Sequence, residues 1–154
     1  MAYDARVRDH VRFVSTRFVP TGADGEEIDP GTYALELTRW LRQQLMAEGL
    51  EVGEPVVEDW GCLLGVHHDA ARLSIGIGSV TGGDGEWLVF VEAVGPGLLA
   101  SLFRHREPPD PAPVAWLAER VDRALHAEPA IGQVTWFAAN RRTGEETDHA
   151  AHPG

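Results

Sequence analysis

Two hydrophobic periods alternate along this chain, and the points where one gives way to the other mark its elements. Between Val7 and Phe18 the apolar side chains Val11, Phe13, Val14 and Phe18 stand among charged neighbours. Thr16 adds β propensity and Pro20 interrupts, so the pattern predicts a first strand over 7–18. A loop rich in Gly, Asp and Glu follows over 21–30. Asp29 then precedes Pro30, the arrangement of an N-cap followed by proline at the first helical position. From there Tyr33, Leu37, Trp40, Leu41, Gln44 and Leu45 recur at helical spacing, with Glu36, Arg39, Arg42 and Gln43 on other faces. Gly49 stands where a C-cap glycine would stop that helix.

Beyond Leu50 the period falls to two. A short strand candidate over 52–59 is broken by Pro55. Cys62, Leu64, Val66 and His68 alternate with Gly61, Leu63, Gly65 and His67. After a turn at 69–71, Leu73, Ile75 and Ile77 alternate with Arg72, Ser74, Gly76 and Gly78. The segment Thr81–Gly85 has the composition of a hairpin turn. Residues 87–94 return as a strand apolar on both sides, which predicts a central, doubly covered position. These three runs with short connections form an antiparallel meander. A short helix is expected over 98–104 and an extended stretch through Glu107–Pro113. A second amphipathic helix is expected over 112–127, on Val114, Leu117, Val121, Ala124 and Leu125, and a last strand over 131–138. The order predicts an α+β fold: a mostly antiparallel sheet with two main amphipathic helices packed on one face. Residues 1–139 are expected to form one domain, and 140–154 a polar, disordered tail.

Composition narrows the function classes. The 154 residues are 44% apolar and include five Trp and five Phe, enough for a core without a metal or disulfide staple. Cys62 is the only cysteine, which excludes a disulfide-stapled secreted domain. The charge-scattered N-terminus lacks the apolar region of a signal peptide, so a cytoplasmic location is expected. Acidic residues outnumber basic ones 24 to 13, and all the basic ones are Arg. A formal charge of −11 disfavours nucleic acid and favours encounter with a basic protein, and the longest strongly apolar stretch, near 87–94 and interrupted by Glu92, is far too short for a membrane span, so no membrane partner is expected.

Several side-chain groups invite chemical readings, and most fail on context. The Gly-rich stretch 76–85 runs into a strand rather than opening a helix, which is wrong for a dinucleotide site. His67 and His68 are neighbours on a strand, point to opposite sides and cannot easily share an ion, so no metal or other cofactor is expected. Cys62 shares its alternating side with Leu64 and Val66 and reads as core rather than nucleophile. Asp24, Glu26 and Glu27 lack the spacing of a calcium loop and read as a solvated acidic loop. Glu58-Asp59-Trp60-Gly61 is the most individual feature. It admits a carboxylate pair beside an aromatic, the rim and anchor of an interface, or a strand entry with Trp60 in the core.

Phe18-Val19-Pro20, Asp29-Pro30-Gly31, Trp40-Leu41, Leu45 with Gly49, and Glu58-Asp59-Trp60-Gly61 occur in that order. Together they resemble uncharacterised small bacterial proteins with an E-D-W-G-[WY] signature, over about the first half of the chain. Cys62 departs from the aromatic residue usual at that place, and the resemblance implies no activity.

The sequence therefore points to a non-enzymatic interaction protein binding a basic protein partner, a bacterial immunity protein against a toxin being the concrete version. Its contacts would be Glu58, Asp59 and Trp60, with the acidic loop residues Asp24, Glu26 and Glu27 beside them. The alternative is a small enzyme or ligand-binding domain with a pocket between sheet and helices. A third reading is a homodimer formed through an outer apolar sheet face.

Overall fold

The computed structural model describes residues 8–18, 30–80, 85–94 and 111–138, and for residues 30–33 the backbone alone. Among these residues, two helices and seven strands follow in the order β1 (His10–Ser15), α1 (Pro30–Ala47), β2 (Glu51–Val52), β3 (Val56–Glu58), β4 (Gly61–His68), β5 (Ala71–Ser79), β6 (Glu86–Ala93), α2 (Ala112–Ala127) and β7 (Ile131–Phe137). The fold is α+β, with every strand pairing antiparallel in one sheet ordered β2-β4-β5-β6-β1-β7 and with β3 lying beside β4. Among the described residues, no helix is long and apolar enough to cross a membrane.

Helix α1 forms where the 3.6-residue period is clearest. It buries Leu37, Leu41 and Leu45 completely, together with Ala34 and Thr38, whose hydroxyl donates to the Ala34 carbonyl at 2.8 Å. Each buried leucine contributes about 1.5–3 kcal/mol relative to exposure. The helix stops at Gly49, which takes a φ of +92° that a side chain would resist, and Leu50 N–H closes back onto the Leu45 carbonyl at 3.2 Å. The Arg42 side chain then donates to the Gly53 and Val52 carbonyls at 2.8 and 3.3 Å, fixing the strand after the turn beneath the helix.

Both helices lie on the same face of the sheet, α1 over β4 and β5, α2 over β6 and β7, and they touch each other. Register explains the continuous core. Cys62, Ile77, Val89, Val11 and Trp136 stand opposite one another across five strands, all buried, and form one core with Leu37 and Leu41 of α1 and Leu117, Val121 and Leu125 of α2. The Trp136 indole donates to Asp122 Oδ1 at 2.8 Å, so the last strand is tied to α2 by a polar contact as well as by packing.

Three expectations need correction. The first strand is shorter than 7–18, because the Ser15 hydroxyl accepts the N–H groups of Arg17 and Phe18 at 3.0 and 2.9 Å and turns the chain out of the ladder. Phe18 is buried all the same, packed against Trp40 with its carbonyl accepting from the Trp87 indole at 2.8 Å. The candidate over 52–59 is two short strands split at Gly53-Glu54-Pro55. β6 is central but not doubly covered: Trp87, Val89 and Val91 are buried under the helices, whereas Leu88 and Phe90 on the other face are only half-buried. The expected helix over 98–104, the Asp29 cap, the tip of the turn over 81–84 and the tail from 140 lie outside the described residues.

Candidate functional site

The helices cover one side of the sheet, and on the opposite, open face a second cross-strand row is legible from the register. Val56, Leu63, Gly76, Phe90, His10 and Phe137 are successive partners from β3 to β7. Phe90 rises beside Gly76, and a Cβ on that glycine would overlap the Phe90 ring. The His10 ring stacks on Phe90 with centroids 5.4 Å apart and lies 5.5 Å from Phe137, while the Arg12 guanidinium sits 5.8 Å from the Phe137 ring centre. Asp9, almost fully buried, holds His10 Nδ1 at 2.8 Å and thereby fixes the plane of that imidazole.

Glu58-Asp59-Trp60-Gly61 ends this row as a two-residue hairpin. Glu58 and Gly61 pair, and Asp59 and Trp60 form the turn between β3 and β4. Trp60 is therefore not a core residue: it is 43% exposed and folds onto the open face, where its ring centre lies 5.6 Å from Phe90. Glycines make that possible. A Cβ at Gly78 would come to 3.5 Å from the Trp60 ring and 3.0 Å from its carbonyl oxygen, and one at Gly61 would overlap the Ile77 carbonyl oxygen. The hairpin also exposes Val56 (52%) on the open face, whereas Val57 (48%), opposite Cys62, is exposed on the other side of the strand.

Of the binding residues expected from sequence, Glu58, Asp59 and Trp60 are brought together at this hairpin. Asp24, Glu26 and Glu27 lie outside the described residues. Phe90, His10 and Phe137 were missed. Their signal was present in Gly76 and Gly78 at outward positions of a strand, which leave room for aromatic side chains from neighbouring strands.

The histidine pair separates as adjacent strand residues must. His67 is exposed on the open face, and His68 turns the other way and stacks on Trp116 of α2, 3.6 Å between centroids at 9°. The Arg120 guanidinium lies 4.5 Å from the same indole. A shallow hollow of about 520 Å³ opens here, lined by His68, Asp69, Ala71, Ala112, Pro113 and Trp116. Among the described residues, no group of three or more His, Cys, Asp or Glu side chains is placed to hold a metal ion. Cys62 is fully buried, and loss of solvation pushes its thiol pKa up, against the opposing effects of the Thr38 hydroxyl and the Arg39 charge. A raised pKa disfavours the thiolate that a nucleophile requires.

Thirteen of the 24 acidic and eight of the 13 basic residues lie in the described segments, so more than half of the net negative charge belongs to the rest of the chain. The open face itself carries both signs, with Glu51, Glu58, Glu86 and Glu92 beside Arg12 and Arg72. Comparisons of the chain with protein families, curated proteins and solved structures found no match.

Proposed function

We propose that this chain is a non-enzymatic interaction protein that binds a basic protein partner through the β3–β4 hairpin, as an immunity protein would bind its toxin. The observation that carries the reading is Trp60, 43% exposed on a glycine floor, with Glu58 and Asp59 beside it and Val56 exposed on the same face. A large, rigid aromatic surrounded by apolar contacts is the make-up of an interface anchor, and the flanking carboxylates select cationic side chains, which an indole face also attracts. Among the described residues, buried side chains fill the space between the sheet and the two helices, which supports the same reading over a catalytic pocket there.

The hollow beside His68 and Trp116 favours a second reading, a small-molecule site at the rim of sheet and helix. Its aromatic wall would stack on a planar ligand.

The test is capture from native-host lysate at low and then high salt, with the parent chain and a Trp60→Ala variant compared. A basic protein retained by the parent, released by salt and held at least about thirtyfold more weakly by the variant is expected of a hot-spot tryptophan worth about 2 kcal/mol. Equal retention by both chains would remove the hairpin from the contact.

A further inference from the structure

We propose, resting on the reading of this hairpin as the contact, that the basic partner binds by adding an extended segment to the sheet as a strand alongside β3. That segment alternates, with cationic residues on the open face and aliphatic ones on the helix side.

One side of β4 is paired along its whole length with β5, and β2 and β3 share the other side end to end. The far side of β2 and β3 is therefore the outer edge of the sheet, and its two halves are finished differently. At β2 the Arg42 guanidinium of α1 occupies the Val52 and Gly53 carbonyls at 3.3 and 2.8 Å and meets the Glu54 carboxylate at 3.3 Å. Pro55, which has no N–H, follows. At β3, among the described residues, pairing is with β4 alone. Glu58 and Gly61 flank a two-residue turn and exchange the first ladder bonds, so Val57 turns its N–H and carbonyl away from β4 and toward the edge. Val57 is 48% exposed on the helix side and Val56 52% exposed on the open face, so each side of this edge strand presents a β-branched side chain with room for a neighbour.

Charge selects the segment. From Glu48 to Asp59 the chain carries five carboxylates and no cation. The cations beside them stand on α1: Arg42, already held, and Arg39, close enough to Cys62, the residue opposite Val57, for its charge to act on the thiol. The helix side of β3 thus suits an uncharged residue, and the open face, where Glu58 stands beside Trp60, suits a cation. An added strand pairs its central residue with Val57 through both free backbone groups and sets the two flanking residues on the open face, opposite Val56 and Glu58. A long basic side chain there covers Val56 with its stem and brings its charge to Glu58. A second copy of the chain carries the same acidic edge and is not its complement.

The probe is a capped peptide of about seven residues alternating Val and Arg, titrated to about 2 mM against the full chain and followed by amide NMR. Saturable shifts are expected from Val56 to Trp60. At about nine-tenths occupancy, hydrogen exchange of the Val57 amide should slow about tenfold, because only the free fraction then exchanges. N-methylation of the peptide's Val residues removes the donor to the Val57 carbonyl and should weaken binding at least about tenfold, as should Glu58→Arg in the chain. Val57→Pro removes a donor that the β4 ladder does not use and should act like the N-methylated peptide, which serves alone if that variant fails to fold. Shifts at Glu58 and Trp60 with unchanged Val57 exchange and no effect of N-methylation overturn strand addition in favour of a side-chain contact. No shift up to about 2 mM overturns it too, and equal binding of a Val-Glu peptide overturns the charge assignment. In each of these cases the Trp60→Ala capture decides the hairpin reading separately.

Discussion

Gly76→Ala tests the open-face row at its centre. The three nearest atoms to a Cβ on Gly76 are Cζ, Cε1 and Cε2 of Phe90, and its backbone is not among those with positive φ. The substitution therefore carries no intrinsic backbone strain, and its cost comes from moving one ring. Phe90 would give up its contacts with Trp60 and His10, 5.6 and 5.4 Å away between centroids. Two aromatic contacts at about 0.5–1.5 kcal/mol each set the loss at about 1–3 kcal/mol, the same range as overpacking by one methyl group. In urea, with a slope of about 2 kcal/mol per molar, a loss of about 2 kcal/mol lowers the midpoint by about 1 M. The decisive measurement is the same substitution on a Phe90→Ala background. There the obstruction is gone, and alanine's smaller conformational freedom in the unfolded chain should leave the change neutral or stabilising by about 0.5 kcal/mol. The coupling between the two positions is then about 1–3 kcal/mol. Equal costs on both backgrounds would refute the account, because the obstruction would then lie elsewhere.

Two further predictions concern titration. Burial raises the Cys62 thiol pKa in the folded chain, so the stability it contributes is present below the ordinary thiol range and is lost as the pH rises through that range and beyond. Cys62→Ala should flatten the alkaline limb of a stability–pH curve, and alkylation of Cys62 in the parent should occur only as fast as the fold opens. Glu128 behaves oppositely: the Ala130 N–H, at 3.1 Å, and then the Arg17 guanidinium, at 2.8 Å, lower its pKa. Its contribution is present above the ordinary carboxylate range and is lost as the pH falls through that range and below it, so Glu128→Gln should remove part of the acid limb of a stability–pH curve seen in chemical denaturation.

The local order of this protein is legible in its sequence because periodicity, caps and breakers act over a few residues. Leu37, Leu41 and Leu45 announce the buried stripe of α1, Gly49 its end, and Leu73, Ile75 and Ile77 the buried side of β5. The α+β class and the meander β4-β5-β6 follow from such patterns, as does the burial of Cys62. Glu58, Asp59 and Trp60 were also visible as an unusual acidic-aromatic group.

Tertiary structure decided what lies beside what. Sequence alternation separates the two sides of each strand but does not say which strands adjoin. β1 is inserted between β6 and β7, far from it in sequence, and that insertion brings His10 onto Phe90 and Phe137. The same limit explains Trp60. A tryptophan beside a strand ordinarily serves the core. Here the Glu58–Gly61 pairing makes Asp59-Trp60 a hairpin turn, and the small Gly78 across the strand gives the indole a place on the open face instead. Side-chain periodicity is a property of the chain alone, whereas the neighbour of a glycine is a property of the sheet.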